Sequence, residues 1–468
     1  MDQETKKLKE QLFYEPKLVW DEIDEEEKKK VFSLAEEYKE FLNNAKTERE
    51  AVSFIEAYAK RAGIPVIKTF RNKVIALVKP GKEDILSGIR LIIAHVDAPR
   101  LDLKQRPVYE KWDMSFLKTH YYGGIKKYQW LARPLAIHGR IVKADGTAID
   151  IKIGEDENDP VFTILDLLPH LAKKEQYEKK LADAIEAEKL NVLIGALPFG
   201  DKETKDRFKL AVLKKLHEDY GIIEEDLISA ELEVVPAGKA RDVGFDRSLI
   251  GAYAQDDRIC VFSAFKAILD CDQNQKTAVA LFVDKEEIGS DGATGAKAKL
   301  LELFLSDIIK GIGKQVSVAD IYHMLSKSKA ISADVNGALD PDYEDLHEKQ
   351  NAARLGYGVC VTKFTGHRGK YEANDADAEY VGWIRRLFNK NKVIWQTGEL
   401  GKVDEGGGGT VAKFIAYYGV EMVDCGPAIL SMHSPFEISH KGDLYMTYKS
   451  YKAFFESSDE DKIDECYS

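Results

Sequence analysis

The strongest constraint in this chain is a set of short apolar runs that each stop at a charged or imidazole-bearing residue. "TAVALFV", Thr277 to Val283, is rich in β-branched residues, carries no charge and leads straight into Asp-Lys-Glu-Glu. A run of that length and composition reads as a strand buried on both faces rather than as one side of a helix. "IPVIKTF", "KVIALVKP", "IRLIIAHVD" and "SKAISADV" have the same character. Separated by helical patterns, such strands predict an α/β fold built on a mixed sheet.

Residues 4 to 62 have helical spacing, as in "VFSLAEEYKEFLNNA", and "DRICVFSAFKAILD" predicts a further amphipathic helix. The middle of the chain differs. "RPLAIHGRIVKADGTAIDIKIG" alternates on both sides of Asp145-Gly146, a hairpin signal. Two charged segments, "LAKKEQYEKKLADAIEAEKLN" and "KETKDRFKLAVLKKLHEDYG", are expected to be helices with solvated faces. Residues 101–240 are therefore expected to be an inserted β-rich domain, with 1–100 and 241–468 forming one discontinuous catalytic domain. The tail from Ser457 is acidic and is expected to fray.

A chain of 468 residues with a formal charge of −12 is a poor match for a nucleic-acid surface. No stretch reaches the ~18 apolar residues of a membrane span, and "MDQETKKLKEQLFYEPKLVW" has no apolar core of a secretory signal. Five scattered cysteines without CxxC spacing read as reduced thiols, so a cytoplasmic protein is expected.

Several familiar motifs fail. "GIGKQVS" has Ile308 for the leading glycine of a phosphate loop and Gln315 for its Ser/Thr; "HEKQN" has Asn351 for the second histidine of a zinc helix. "EGGGGTVAKF" reads as a flexible or closely packed turn. What survives is dispersed. His95 and Asp97 end one apolar run, Glu286 and Glu287 another, Asp334 a third and His433 a fourth, while Asp256 and Asp257 precede a helix. Ligands gather beyond the carboxyl ends of strands in open α/β sheets, so these loops are expected to converge on one crevice. Imidazole with carboxylate suits zinc, manganese or cobalt, and one carboxylate can bridge two cations about 3.5–4 Å apart. Neighbouring residues leaving a strand face opposite sides, so Glu286 and Glu287 need not share one task.

With "AHVDAPRLDLK", "QDDR", "DKEEIGS", "SADV" and "LSMHSPFE" in this order, the chain resembles the M18 metallo-aminopeptidases, the aspartyl aminopeptidase family, in its bacterial-type branch. The resemblance runs over nearly the whole length. It implies two divalent ions per subunit, zinc first among the candidates, on His95, Asp256, Glu287, Asp334 and His433, with Asp256 as the bridge. Asp97 would orient His95, and Glu286 would be the general base. It also implies a homo-oligomer built from dimers, up to a dodecamer, in which a histidine of the inserted domain reaches a neighbour's site; "PLAIHG" puts His138 there.

The expected reaction is removal of N-terminal residues from peptides with a free amino terminus. Arg368 and Lys370 are the candidates for gripping an acidic side chain. The family's acidic branch has Asp-Asn where this chain has Asp256-Asp257, and a Cys-Gly-containing turn where this chain has "EGGGGT". The competing expectations are a related dinuclear carboxypeptidase or N-acyl amino-acid deacylase, and a non-catalytic metal-stabilised assembly protein.

Overall fold

The computed structural model describes residues 2–272 and 274–459. Its centre is a mixed sheet of nine strands, in the order Val66–Phe70, Val74–Lys79, Thr277–Val283, Ile89–His95, Lys329–Ser332, Glu421–Ile429, Val359–Thr362 and Trp395–Thr397, with Asn336–Gly337 pairing Glu421–Ile429. The four strands from Thr277–Val283 to Glu421–Ile429 run parallel.

The uncharged runs follow from double-sided burial. In Thr277–Val283, Ala278, Ala280 and Phe282 enter the core shared with helices Glu25–Asn44, Glu48–Arg61, Gln255–Asp270 and Lys441–Phe455. Val279, Leu281 and Val283 enter the opposite core, under Leu300–Gly311 and Val318–Leu325. A parallel strand covered by helices on both faces has no solvent side on which to place polar residues.

All seven strands of a second sheet lie between Arg100 and Pro236, beside the expected 101–240 limits. The predicted hairpin is present as Leu135–Val142 paired with Ala148–Ile153. Of the two charged segments, the second forms the helix Arg207–Tyr220. The first does not form one helix: it breaks into short turns at Pro169–Leu171, Lys173–Tyr177, Leu181–Ala184 and Ala187–Lys189. Within it only Ala172, Ile185 and Leu190 are buried, too sparse a set to anchor a continuous apolar stripe.

The C-terminal expectation also needs correction where it can be seen. Ser457 accepts from Arg90 Nε at 2.9 Å, and Asp459 pairs with Arg90 at 2.7 Å and Lys276 at 2.9 Å, so the chain is tied down to Asp459. Residues 460–468, with Cys466, lie outside the described residues. The other four cysteines are buried and unpaired, and no described helix is long and apolar enough to cross a membrane.

Candidate metal centre

The carboxyl ends of the parallel strands bring the dispersed residues together. His95 is the last residue of its strand, Asp334 lies two past Ser332, and His433 four past Ile429. Asp256 is the second residue of the helix Gln255–Asp270, which follows Ala254 at φ 62°. Glu286 and Glu287 do not continue their strand. Lys285 turns at φ 70° into a one-turn helix, Glu286–Ile288, and that turn separates the two carboxylates. Ala254, Lys285 and His433 (φ 63°) all sit in the left-handed region, backbone strain concentrated at one crevice.

Asp256 lies at the middle. Its Oδ1 is 3.2 Å from His95 Nε2 and its Oδ2 is 3.2 Å from His433 Nε2. Asp334 Oδ1 is 3.9 Å from His95 Nε2, and Glu287 Oε2 is 3.5 Å from His433 Nε2. Two groups of ligand atoms, each spanning under 4.8 Å, therefore share Asp256: His95–Asp256–Asp334 and Asp256–Glu287–His433. A third group, His95–Glu286–Glu287, sets Glu286 beside the same space. Glu287 Oε1 is buried without a hydrogen-bond partner. Hard, borderline cations are what such a set of buried imidazole and carboxylate atoms accepts.

Burial would raise Asp256, but hydrogen bonds from His433 and His95 hold its carboxyl below the ordinary range. Burial lifts Glu287 and Asp334 well above theirs, reinforced by neighbouring carboxylates. Burial also pushes Glu286 up to about 7, with Asp97 and Asp256 adding to the rise against His95. Carboxylates packed this closely at a partly buried site disfavour one another's charged forms.

Asp97 organises three of these residues. It is fully buried; Oδ1 accepts from Glu286 N and Oδ2 from Glu287 N, each at 3.1 Å, and Oδ2 also accepts from Tyr122 Oη at 2.8 Å. His95 Nδ1 lies 3.3 Å from Oδ1 and 3.1 Å from the Asp97 carbonyl, which turns Nε2 towards Asp256. His433 is turned likewise by the Gly124 carbonyl, 3.1 Å from its Nδ1.

Glu437 was present in the "LSMHSPFE" motif without an assigned role. It accepts from His433 N at 2.7 Å, Gln255 N at 2.5 Å and Asp256 N at 3.1 Å, so it ties two ligand-bearing loops together. Its only sequence signal was a charged residue four positions after the histidine. Gly426 matters for a different reason: a Cβ there would lie 2.1 Å from the Asp334 carbonyl.

Within this chain His138 does not join the centre. Its ring is fully buried, with Nδ1 2.8 Å from Glu50 Oε1 and Nε2 3.1 Å from Glu155 Oε1. Alternation turned this strand residue inward, towards the seam with helix Glu48–Arg61. The stretch between Arg100 and Pro236 reaches the centre through Tyr122 and Gly124.

A cleft of about 450 Å³ opens from the ligands. Arg368 and Lys370 line its exposed mouth, and Lys370 is already engaged, donating to Asp375 at 2.7 Å over the ring of Phe364. The four-glycine turn forms one wall. It is a closely packed turn, since a Cβ on Gly407 would stand 2.1 Å from the Gly366 carbonyl.

Comparison with known proteins agrees with this architecture. The family model described as aminopeptidase I zinc metalloprotease (M18) matches residues 41–455. A Borrelia garinii subsp. bavariensis protein named as an M18 family aminopeptidase 1 is 50% identical over 451 residues, covering 93% of this chain and 98% of its own. The crystal structure of an M18 aminopeptidase from Thermotoga maritima superposes with a TM-score of 0.91 at 47% identity, covering 95% of this chain and all (100%) of that one. The mApe1 dodecamer of S. cerevisiae shares the fold at 20% identity and a TM-score of 0.71, covering 90% of this chain and 96% of that one. With that family model matching residues 41–455 and a relative 50% identical over almost its whole length, the chain belongs to the M18 family of zinc metallo-aminopeptidases.

Proposed function

We propose that this aminopeptidase works with two cations held by His95, Asp256, Asp334, Glu287 and His433, and with Glu286 as its general base. The observation that carries the reading is Asp256, one carboxylate whose two oxygens each face a different imidazole at 3.2 Å. The unpartnered Oε1 of Glu287 fits a bound cation. Zinc, cobalt and manganese all suit the donor set.

When bound, the cations supply Lewis acidity to the water and to the scissile carbonyl. The chain's own groups do the rest. Glu286 belongs to neither ligand group that shares Asp256, and its raised pKa suits a group that takes a proton from water near neutrality and returns it to the leaving amine. Asp97 holds the backbone of both glutamates, which keeps Glu286 aimed at the water and Glu287 at its cation. The carboxylate-rich end of the cleft suits a free α-ammonium, so cleavage stops after the first residue.

The assembly is a homo-oligomer, in keeping with the dodecamer named for a relative of the same fold. The inserted domain supplies exposed apolar side chains for it, among them Leu165, Leu168, Leu171, Leu181 and Leu197. Buried free thiols suit a cytoplasmic setting.

The test compares Leu-anilide with its N-acetyl form, before and after chelation and with each metal restored. Metal-dependent cleavage confined to the free amine is expected. Equal cleavage of the acetylated substrate would point to the deacylase chemistry instead.

A further inference from the structure

A second, smaller cavity of about 210 Å³ shares no lining residue with the cleft. Arg133 lines it from the stretch that holds the second sheet, and Lys46 from the turn before helix Glu48–Arg61. Lys239 and Arg241 line it from the segment that follows strand Glu231–Pro236. No carboxylate among the described residues lines it. In a chain with 80 Asp and Glu against 68 Lys and Arg, four cations around one space without an acid reverse the overall charge locally.

One of the four holds the pocket in shape. Lys46 Nζ pairs with Glu155 and donates to the Pro236 and Gly238 carbonyls, each at 2.8 Å, which fixes the loop that carries Lys239. Asn43 Oδ1 accepts from Ala240 N at 2.8 Å and fixes the far end of that loop, while Ala237 N donates to the Pro134 carbonyl at 3.2 Å, next to Arg133. The other three cations are not engaged in this way. Arg133, half-buried, donates from Nη1 to the Gln129 carbonyl at 3.3 Å and meets no carboxylate among the described residues. Burial, with nothing opposing it, holds its pKa below the usual arginine value. Lys239 and Arg241 are exposed and make no ion pair or side-chain hydrogen bond among the described residues.

We propose that this pocket is a binding site for a phosphate group, held by Arg133, Lys239 and Arg241. Like charges facing one small space disfavour each other, and an anion set between them removes that cost. A phosphate carries close to two negative charges at neutral pH and three acceptor oxygens, where a carboxylate offers one charge and two. The forked donors of arginine match that geometry. Because Lys46 and Asn43 already fix the loop, little ordering remains to oppose binding. Phe436, 42% exposed, adds an apolar wall on which the organic part of a phosphate monoester can rest.

The test is calorimetric titration of the metal-loaded full chain with inorganic phosphate and, separately, phenyl phosphate, each against sodium chloride at matched ionic strength. Saturable binding is expected with the phosphates and not with chloride. Arg133→Gln should weaken it about tenfold or more, the worth of one lost charge-assisted contact. Lys82→Gln, which removes an exposed lysine outside the pocket, should leave it unchanged. Phosphate held at the metal centre would be indifferent to Arg133→Gln, so unchanged binding in that variant overturns the proposal. Equal heats with chloride, or no saturable binding of either phosphate, overturn it too. Should Arg133→Gln fail to fold, the exposed pair Lys239→Gln and Arg241→Gln decides: weakened binding supports the site and unchanged binding overturns it. Tighter binding of phenyl phosphate than of inorganic phosphate assigns the site to a monoester, and the reverse order assigns it to the free ion.

Discussion

Replacing Asp97 by asparagine changes one buried oxygen to an amide nitrogen and almost nothing in shape. In the wild type the two oxygens receive Glu286 N, Glu287 N and Tyr122 Oη, and Oδ1 also faces His95 Nδ1. The best placement of the amide keeps an oxygen towards Glu287 and Tyr122, which sets NH₂ against the Glu286 N–H. Two donors then face each other with no water nearby, and the retained bonds lose their charge. Hydrogen bonds to charged groups are worth about 1.5–3 kcal/mol and an orphaned buried donor costs about 1–3, so a loss of about 2–5 kcal/mol is expected. Part of it falls on the turn carrying Glu286 and Glu287, so metal affinity should drop about 10–100-fold. The His95 tautomer should survive, because the Asp97 backbone carbonyl remains 3.1 Å from Nδ1. Competition against a chromophoric chelator gives the affinity, and denaturant unfolding of the metal-free protein gives the stability. A variant that binds metal within twofold of the wild type and unfolds at the same midpoint would refute Asp97 as the organiser of the centre.

Glu286→Gln should retain both metals by elemental analysis while kcat falls about 10²–10⁴-fold, the usual range for a lost general base; near-wild-type turnover would remove Glu286 from that role. Stripping the cations should lower the thermal midpoint as well as abolish activity, because a ligand held at 1,000 times its dissociation constant stabilises by about 4 kcal/mol, and calorimetry with and without zinc measures this. His138→Gln should destabilise the chain with little change in kcat, since the ring sits between Glu50 and Glu155 away from the cations. Burial alone would lower the His138 pKa, but those two carboxylates raise it. Its contribution is therefore full below the unfolded value near 6.5 and fades as pH rises through the folded one. The stability gap between wild type and variant should narrow from about pH 6.5 upwards, and a gap that widens would contradict the pairing. Asp459→Asn should loosen the C-terminal tie to Arg90 and Lys276, seen as faster amide exchange in helix Lys441–Phe455. The wild-type Asp459 carboxyl is held down to about 2, with hydrogen bonds from Arg90 and Lys276 overcoming its burial, so its contribution holds above pH 4 and is lost on acidification towards that value.

What the sequence determined by itself were the features that repeat locally. Uncharged runs marked strands covered on both faces, Asp145-Gly146 marked a hairpin, and residues at strand ends marked a crevice, because burial and turn geometry act over a few neighbours. The segment from Leu171 to Asn191 shows the limit of that logic: its charge pattern suited a helix, but too few apolar positions met a partner to hold one. His138 shows a deeper limit. Alternation says that a strand residue faces one side or the other, and only packing against Glu50, 88 residues earlier, decided which. The same holds for Asp97 and Glu437. Each is one charged residue in an apolar context, and its role depends on which backbone N–H groups or imidazoles the tertiary structure brings within about 3 Å, the range over which a hydrogen bond acts.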